Sequence, residues 1–150
     1  MSQVDNESII QKGFALPKDV KTIIHIGVGK SRLPLKYINE GYTVNVMDLA
    51  YDSFDPEVKK AAGRSFVLDL TSFNFEIGIH DYAICVDVLE HIEYNELNAA
   101  LHNLSRLTPR GVVAISNTDS RSAEWWKDKL SEFFNFSSTY NSATHFIGRY

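Results

Sequence analysis

With 150 residues, of which 44% are hydrophobic and 23% charged, the chain has the size and composition of one globular domain over 1–150, and neither disorder nor a membrane class is suggested. A net charge of −4 excludes gripping nucleic acid by bulk charge, because neutralising phosphates takes clustered Lys and Arg. There is no apolar run of about 18 residues, and the opening MSQVDNESII lacks the basic start and apolar stretch of a secretory signal, so a cytoplasmic protein is expected.

In chain order, residues 6–14 (NESIIQKGF) predict a short leading helix before Pro17. The first strand is Thr22 to Ile26, apolar apart from His25, as suits a central strand buried on both faces. A glycine turn follows, Gly27-Val28-Gly29-Lys30-Ser31. A helix then starts near Ser31, holds Pro34 in its first turn, buries Leu35 and Ile38, and stops at Gly41. The second strand, Tyr42 to Met47, ends at Asp48. Asp55-Pro56 opens a short helix closed by Gly63, and a third strand, Ser65 to Leu68, ends at Asp69. The fourth strand, Tyr82 to Val86, carries the single cysteine, Cys85, expected to pack as a small hydrophobe.

A helix over 94–107 puts Leu97, Leu101 and Leu104 on one face. Strand five is Val112 to Ser116, and a helix from Ser122 to Phe133 aligns Trp126, Leu130 and Phe133. Two last segments, Phe134 to Thr139 and Thr144 to Arg149, suit an antiparallel edge pair joined through Asn141. Strands alternating with amphipathic helices predict a largely parallel sheet with crossover helices.

The turn invites three ligands. A P-loop needs a glycine, then four residues, then Gly29-Lys30-Ser31, and Ile24 stands where that first glycine must be, inside the strand. A dinucleotide fingerprint needs a third glycine where Arg32 stands, which weakens an NAD reading although Asp48 is suitably placed for ribose hydroxyls. A strand, a Gly-x-Gly turn and an acid ending the next strand remain, and together they describe a site for the adenosine half of a ligand.

The run from Asp81 to Ile92, DYAICVDVLEHI, resembles the fourth-strand region of class I S-adenosylmethionine-dependent methyltransferases, and Leu107-Thr108-Pro109-Arg110-Gly111 resembles that family's turn before strand five. The resemblance spans roughly 20–150. It implies a Rossmann-like α/β fold, a doubly wound, mostly parallel seven-stranded sheet with helices on both faces and an antiparallel C-terminal edge hairpin. It further implies S-adenosyl-L-methionine as cofactor and S-adenosyl-L-homocysteine as product. Gly27, Val28 and Gly29 would let backbone approach the methionine portion. Asp48, with Leu49 beside it, would take both ribose hydroxyls, Asp69 and Leu70 would meet the adenine, and Val86 and Asp87 would lie under the reacting methyl. His25 stands where the family carries an acid, and is either a ligand contact or a core histidine paired within the sheet.

Methyl transfer from a sulfonium is an in-line displacement that rests on positioning in a dry site. His91 is the candidate general base; its rival role is to open the following helix with Glu90. Glu90, Asn117 and Trp125 are candidate acceptor contacts, Trp125 alternatively packing at the sheet edge. The segment after strand four lacks an Asp/Asn-Pro-Pro-Tyr/Phe motif and the chain has no Pro-Cys nucleophile, which disfavours DNA-base chemistry. The histidines show no metal-ligand spacing. The expected partner is an unidentified methyl acceptor, small or macromolecular, with no membrane; the alternative is a methyltransferase-fold binding or scaffold protein without catalysis.

Overall fold

A computed structural model describes residues 16–50, 53–72, 77–115, 119–140 and 143–148. The helix expected over 6–14 lies outside the described residues, as do Asn117 and Asn141. The strands are β1 (Thr22–Ile26), β2 (Thr43–Asp48), β3 (Ser65–Val67), β4 (Tyr82–Val86), β5 (Arg110–Ala114), β6 (Phe134–Tyr140) and β7 (Ala143–Gly148). Among the described residues the helices are α1 (Leu33–Asn39), α2 (Pro56–Ala61), α3 (Tyr94–Leu107) and α4 (Ala123–Ser131), with a 3-10 turn at Leu89–His91. One sheet runs in the order β3-β2-β1-β4-β5-β7-β6. β1 to β5 pair in parallel, while β7 pairs antiparallel with both β5 and β6.

Strand alternation divides the apolar side chains between two cores. Ile24, Ile26, Ala83, Cys85 and Val113 face a core closed by Leu97, Leu101 and Leu104 of α3 and by Trp126 and Leu130 of α4. Ile23, Val44, Val46, Ile84 and Val112 face the other, closed by Leu33 and Tyr37 of α1 and Val58 of α2. Each fully buried leucine or isoleucine contributes about 1.5–3 kcal/mol, so covering both faces is what makes this sheet stable. Cys85 is fully buried, and burial pushes its thiol pKa up.

Local chemistry sets the helix starts. Asp55 caps α2 by accepting from the Glu57 and Val58 N–H groups at 2.9 and 3.3 Å, and Ser122 caps α4 by accepting from Trp125 N–H at 3.0 Å. α1 differs from its sequence reading. The Ser31 hydroxyl accepts from Leu33 N–H at 3.1 Å, a turn that delays the helix to Leu33, and the buried residues are Leu33, Pro34 and Tyr37, with Leu35 and Ile38 only partly buried.

The N-terminal ends of the parallel strands are tied together. Asp81 Oδ2 accepts from Lys21 and Thr22 N–H at 2.9 and 3.0 Å, and these bonds hold its carboxyl below the usual carboxylate range. Arg110 Nε donates to the Asp81 carbonyl at 3.3 Å while its Nη2 meets Asp19 at 2.8 Å. Among the described residues no helix is long and apolar enough to cross a membrane.

Candidate functional site

The opposite ends of the strands open into a cleft of about 350 Å³, at the small end of the range for ligand pockets. Four strand ends build it: Ile26 and Gly27 after β1, Met47 to Leu49 after β2, Leu68 to Thr71 after β3, and Asp87 and Val88 after β4. His91, Ile92, Glu93 and Glu96 complete the wall. β1 lies between β2 and β4, so its connection and that of β4 diverge to opposite sides, and open α/β sheets bind ligands at such a switch point.

The glycine turn is held from below by backbone. Gly27 and Val28 N–H both donate to the Met47 carbonyl, at 2.9 and 3.2 Å. Gly27 and Gly29 have φ of 67° and 51°, a region that side chains disfavour. A Cβ at Gly27 would overlap Cγ2 of Val88, so the space that the sequence reading reserves for a ligand there is filled by the protein itself. Lys30 Nζ donates to the Phe54 carbonyl at 3.2 Å, and Lys30 does not line the cleft.

The cleft wall is acidic. Asp48, Asp69, Asp87, Glu93 and Glu96 line it, and among the described residues no lysine or arginine does. Asp48 accepts Gly29 N–H on Oδ2 at 2.6 Å and Leu49 N–H on Oδ1 at 2.7 Å, which leaves one lone pair on each oxygen for a further donor. Asp69 Oδ1 accepts both the N–H and the hydroxyl of Thr71, at 2.9 and 2.8 Å. The loop beyond is fixed from α3, whose buried Asn103 donates to the Leu70 and Ser72 carbonyls at 2.7 and 3.1 Å. Among the described residues Asp87 is the one non-glycine with positive φ, 56°, at a cost of about 1–2 kcal/mol. Its N–H donates to the Ala114 carbonyl at 3.0 Å, which keeps it beside β5.

Of the residues singled out from sequence, Gly27, Asp48, Leu49, Asp69, Leu70, Asp87 and His91 line one cleft. Gly29 does not line it and acts through Asp48. Val28 and Val86 are packed in the core, with 0% and 1% exposure. Val28 follows the lining Gly27 and Val86 precedes the lining Asp87, and both valine side chains pack in the core with Val46 and Ile84. His25 is also fully buried and absent from the cleft wall; neither ring nitrogen has a partner among the described residues, and burial holds its pKa down to about 4. The expected pairing within the sheet is therefore not made, and the shape of the turn rests on the Met47 carbonyl and Asp48 carboxylate.

Glu90 and Trp125 stand at the corner behind the cleft and outside its lining. Trp125 packs against Tyr94 of α3 and Trp126 of α4, with ring centroids 6.1 and 5.0 Å away, so its ring contacts join two helices. Sequence reasoning missed Ile26, Met47, Leu68, Thr71, Val88, Ile92, Glu93 and Glu96; all except Glu93 and Glu96 adjoin a singled-out residue, so the signal was adjacency in the chain.

No protein-family model matches the sequence, and no curated protein matches it. Solved structures do match in fold. A TehB-like S-adenosylmethionine-dependent methyltransferase from Corynebacterium glutamicum aligns with TM-score 0.75 at 15% identity, covering 95% of this chain and 86% of that one. The 1,6-didemethyltoxoflavin-N1-methyltransferase of Burkholderia thailandensis, solved with S-adenosylhomocysteine, gives 0.73 at 14%, covering 99% and 78%. The magnesium protoporphyrin IX methyltransferase of Synechocystis PCC 6803, solved with S-adenosylmethionine, gives 0.69 at 17%, covering 98% and 78%. The chain has the Rossmann-like fold of class I S-adenosylmethionine-dependent methyltransferases.

Proposed function

We propose that the protein is an S-adenosylmethionine-dependent methyltransferase acting on an acceptor still to be identified. The observation that carries this reading is the cleft at the strand ends, lined by Asp48, Asp69, Asp87, Glu93 and Glu96 and, among the described residues, by no lysine or arginine. Such a wall repels a pyrophosphate or triphosphate and attracts a cation, which disfavours NAD and ATP and favours a sulfonium. When bound, S-adenosylmethionine supplies an electrophilic methyl on that sulfonium. Asp48 would hold the ribose hydroxyls through its spare lone pairs, and Asp69 with Leu70 would hold the adenine. Gly27 and Asp87, at the ends of β1 and β4, would flank the methionine portion.

The apolar part of the wall, including Ile26, Met47, Val88 and Ile92, excludes water from the reacting centre. His91 is exposed on the wall and is the residue we assign to take a proton from an acceptor that must lose one. A binding or scaffold protein without catalysis is the second reading. It is supported by Asp48, whose two oxygens already hold the turn.

Calorimetry with S-adenosylmethionine, S-adenosylhomocysteine, NAD and ATP tests the first reading. Binding of the first two and not the last two is expected; no heat with either sulfur compound at millimolar concentration overturns it. Labelled methyl from S-adenosylmethionine appearing in a protein, nucleic acid or metabolite fraction then separates the enzyme from the scaffold.

A further inference from the structure

Behind the cleft a compact polar assembly joins α4 to the segment after β4. Arg121 Nη2 donates to the Glu90 carbonyl at 3.0 Å. The same guanidinium grips the Asp119 carboxylate, Nε to Oδ2 at 3.1 Å and Nη2 to Oδ1 at 3.2 Å, and its backbone N–H also reaches Oδ2 at 3.1 Å. Trp126 Nε1 donates to Asp119 Oδ2 at 2.8 Å, and Trp126 is buried in the core with Leu130. The Arg121 guanidinium lies 5.0 and 4.6 Å from the Trp125 and Trp126 ring centroids. An indole rooted in the core thus fixes a carboxylate, the carboxylate orients an arginine, and the arginine holds one carbonyl of the 3-10 turn.

That carbonyl belongs to the residue before His91. At the other end of the segment, Val88 fills the space beside Gly27. The cleft wall from Asp87 to Ile92 is therefore held by the Asp87 N–H on the Ala114 carbonyl, by Val88 against the glycine turn, by Leu89 in the core and by Arg121 on the Glu90 carbonyl. Within this segment His91 N–H donates to the Val88 carbonyl at 3.1 Å and Ile92 N–H to the Leu89 carbonyl at 3.2 Å.

We infer that Arg121 is a positioning residue for the candidate site: through Asp119, Trp126 and the Glu90 carbonyl it fixes the Asp87–Ile92 wall and so the place of His91. A planar fork suits this task because three partners must be met at fixed angles, which an ammonium cannot do. The geometry itself stands without a cofactor; only its effect on ligand affinity rests on the methyltransferase reading.

Hydrogen–deuterium exchange without ligand tests it. Arg121→Met is expected to speed exchange across 88–92 by tenfold or more while amides of β1 and β4 stay as in the parent. Arg121→Lys, which retains one donor but not the fork, is expected to lie between, about threefold faster, and carries the same comparison if the methionine variant does not fold. Where the parent binds S-adenosylhomocysteine, Arg121→Met weakens it five- to tenfold at a temperature where the variant is fully folded. Unchanged exchange across 88–92 in every folded variant, or acceleration spread equally through the chain, overturns the inference. Local acceleration in a protein whose parent binds no S-adenosylhomocysteine leaves Arg121 as a positioning residue and overturns the cofactor reading instead.

Discussion

Asp81 and Asp48 stand at opposite ends of the same sheet, and each accepts two backbone N–H groups. Asp81 takes both on Oδ2, from the residues that begin β1, and lies beside Arg110. Asp48 takes one on each oxygen, from loop residues, and faces a cleft lined by four other carboxylates and, among the described residues, by no lysine or arginine. One carboxylate closes strands together; the other shapes a turn and keeps hydrogen-bonding capacity toward open space. The same residue type at a strand end fastens strands or faces a cleft according to what the tertiary fold sets opposite it.

The largest way to break this contrast is Gly27→Ala. A left-handed alanine costs about 1–2 kcal/mol, and the overlap with the stiff, β-branched Val88 adds about 1–3 kcal/mol. Denaturant unfolding should show a loss of roughly 3 kcal/mol from the two together, with ligand binding abolished. Adding Val88→Ala should restore the overlap part and not the backbone part; no recovery in the double variant would mean that Val88 is not what fills this space.

His25, in the core beneath the turn, separates acid response from either sheet end. Its folded-state pKa of about 4 lies below the ordinary 6.5, so in that window the unfolded chain binds the extra proton and stability falls as pH falls. The loss amounts to about 3 kcal/mol by pH 4. His25→Leu should flatten the stability profile between about pH 6.5 and 4, while the contribution of Asp81, whose pKa is lowered from 3.8, disappears only as pH falls below that value. A parent protein with a flat profile across the window would contradict the buried neutral imidazole.

A crossed pair sharpens the comparison directly. Asp81→Asn should lower stability by about 1–2 kcal/mol with S-adenosylhomocysteine affinity unchanged, whereas Asp48→Asn should weaken that affinity roughly tenfold or more. Equal effects of the two variants on affinity would erase the distinction between the ends. The smallest effect is expected from Lys30→Ala, within about 0.5 kcal/mol in stability, with binding unchanged, as calorimetry can check.

Much of the fold was legible. β1 and β4 were bounded to the residue, because unbroken apolar, β-branched runs have no other stable disposal than a central strand. α1 was less legible: Leu33-Pro34-Leu35-Lys36-Tyr37-Ile38 is apolar nearly all round, so periodicity does not select the buried face, and Ser31 bonds Leu33 N–H before the helix begins. In the candidate site, Asp48, Asp69 and Asp87 followed from their places at strand ends. Val28 and Val86 did not, because each adjoins a lining residue yet packs its side chain in the core. Arg121 gave no signal, since its partners lie 31 residues upstream and within its own helix start.

The sequence by itself determined the alternation of strands and helices, the glycine turn and the acids at the strand ends, since these follow from local conformation and side-chain periodicity. Only the tertiary structure decided that five carboxylates share one wall, that His25 lies buried behind the turn, and that Val88 occupies the space beside Gly27. These depend on which distant residues pack side by side, and long-range packing leaves no periodic trace in the chain.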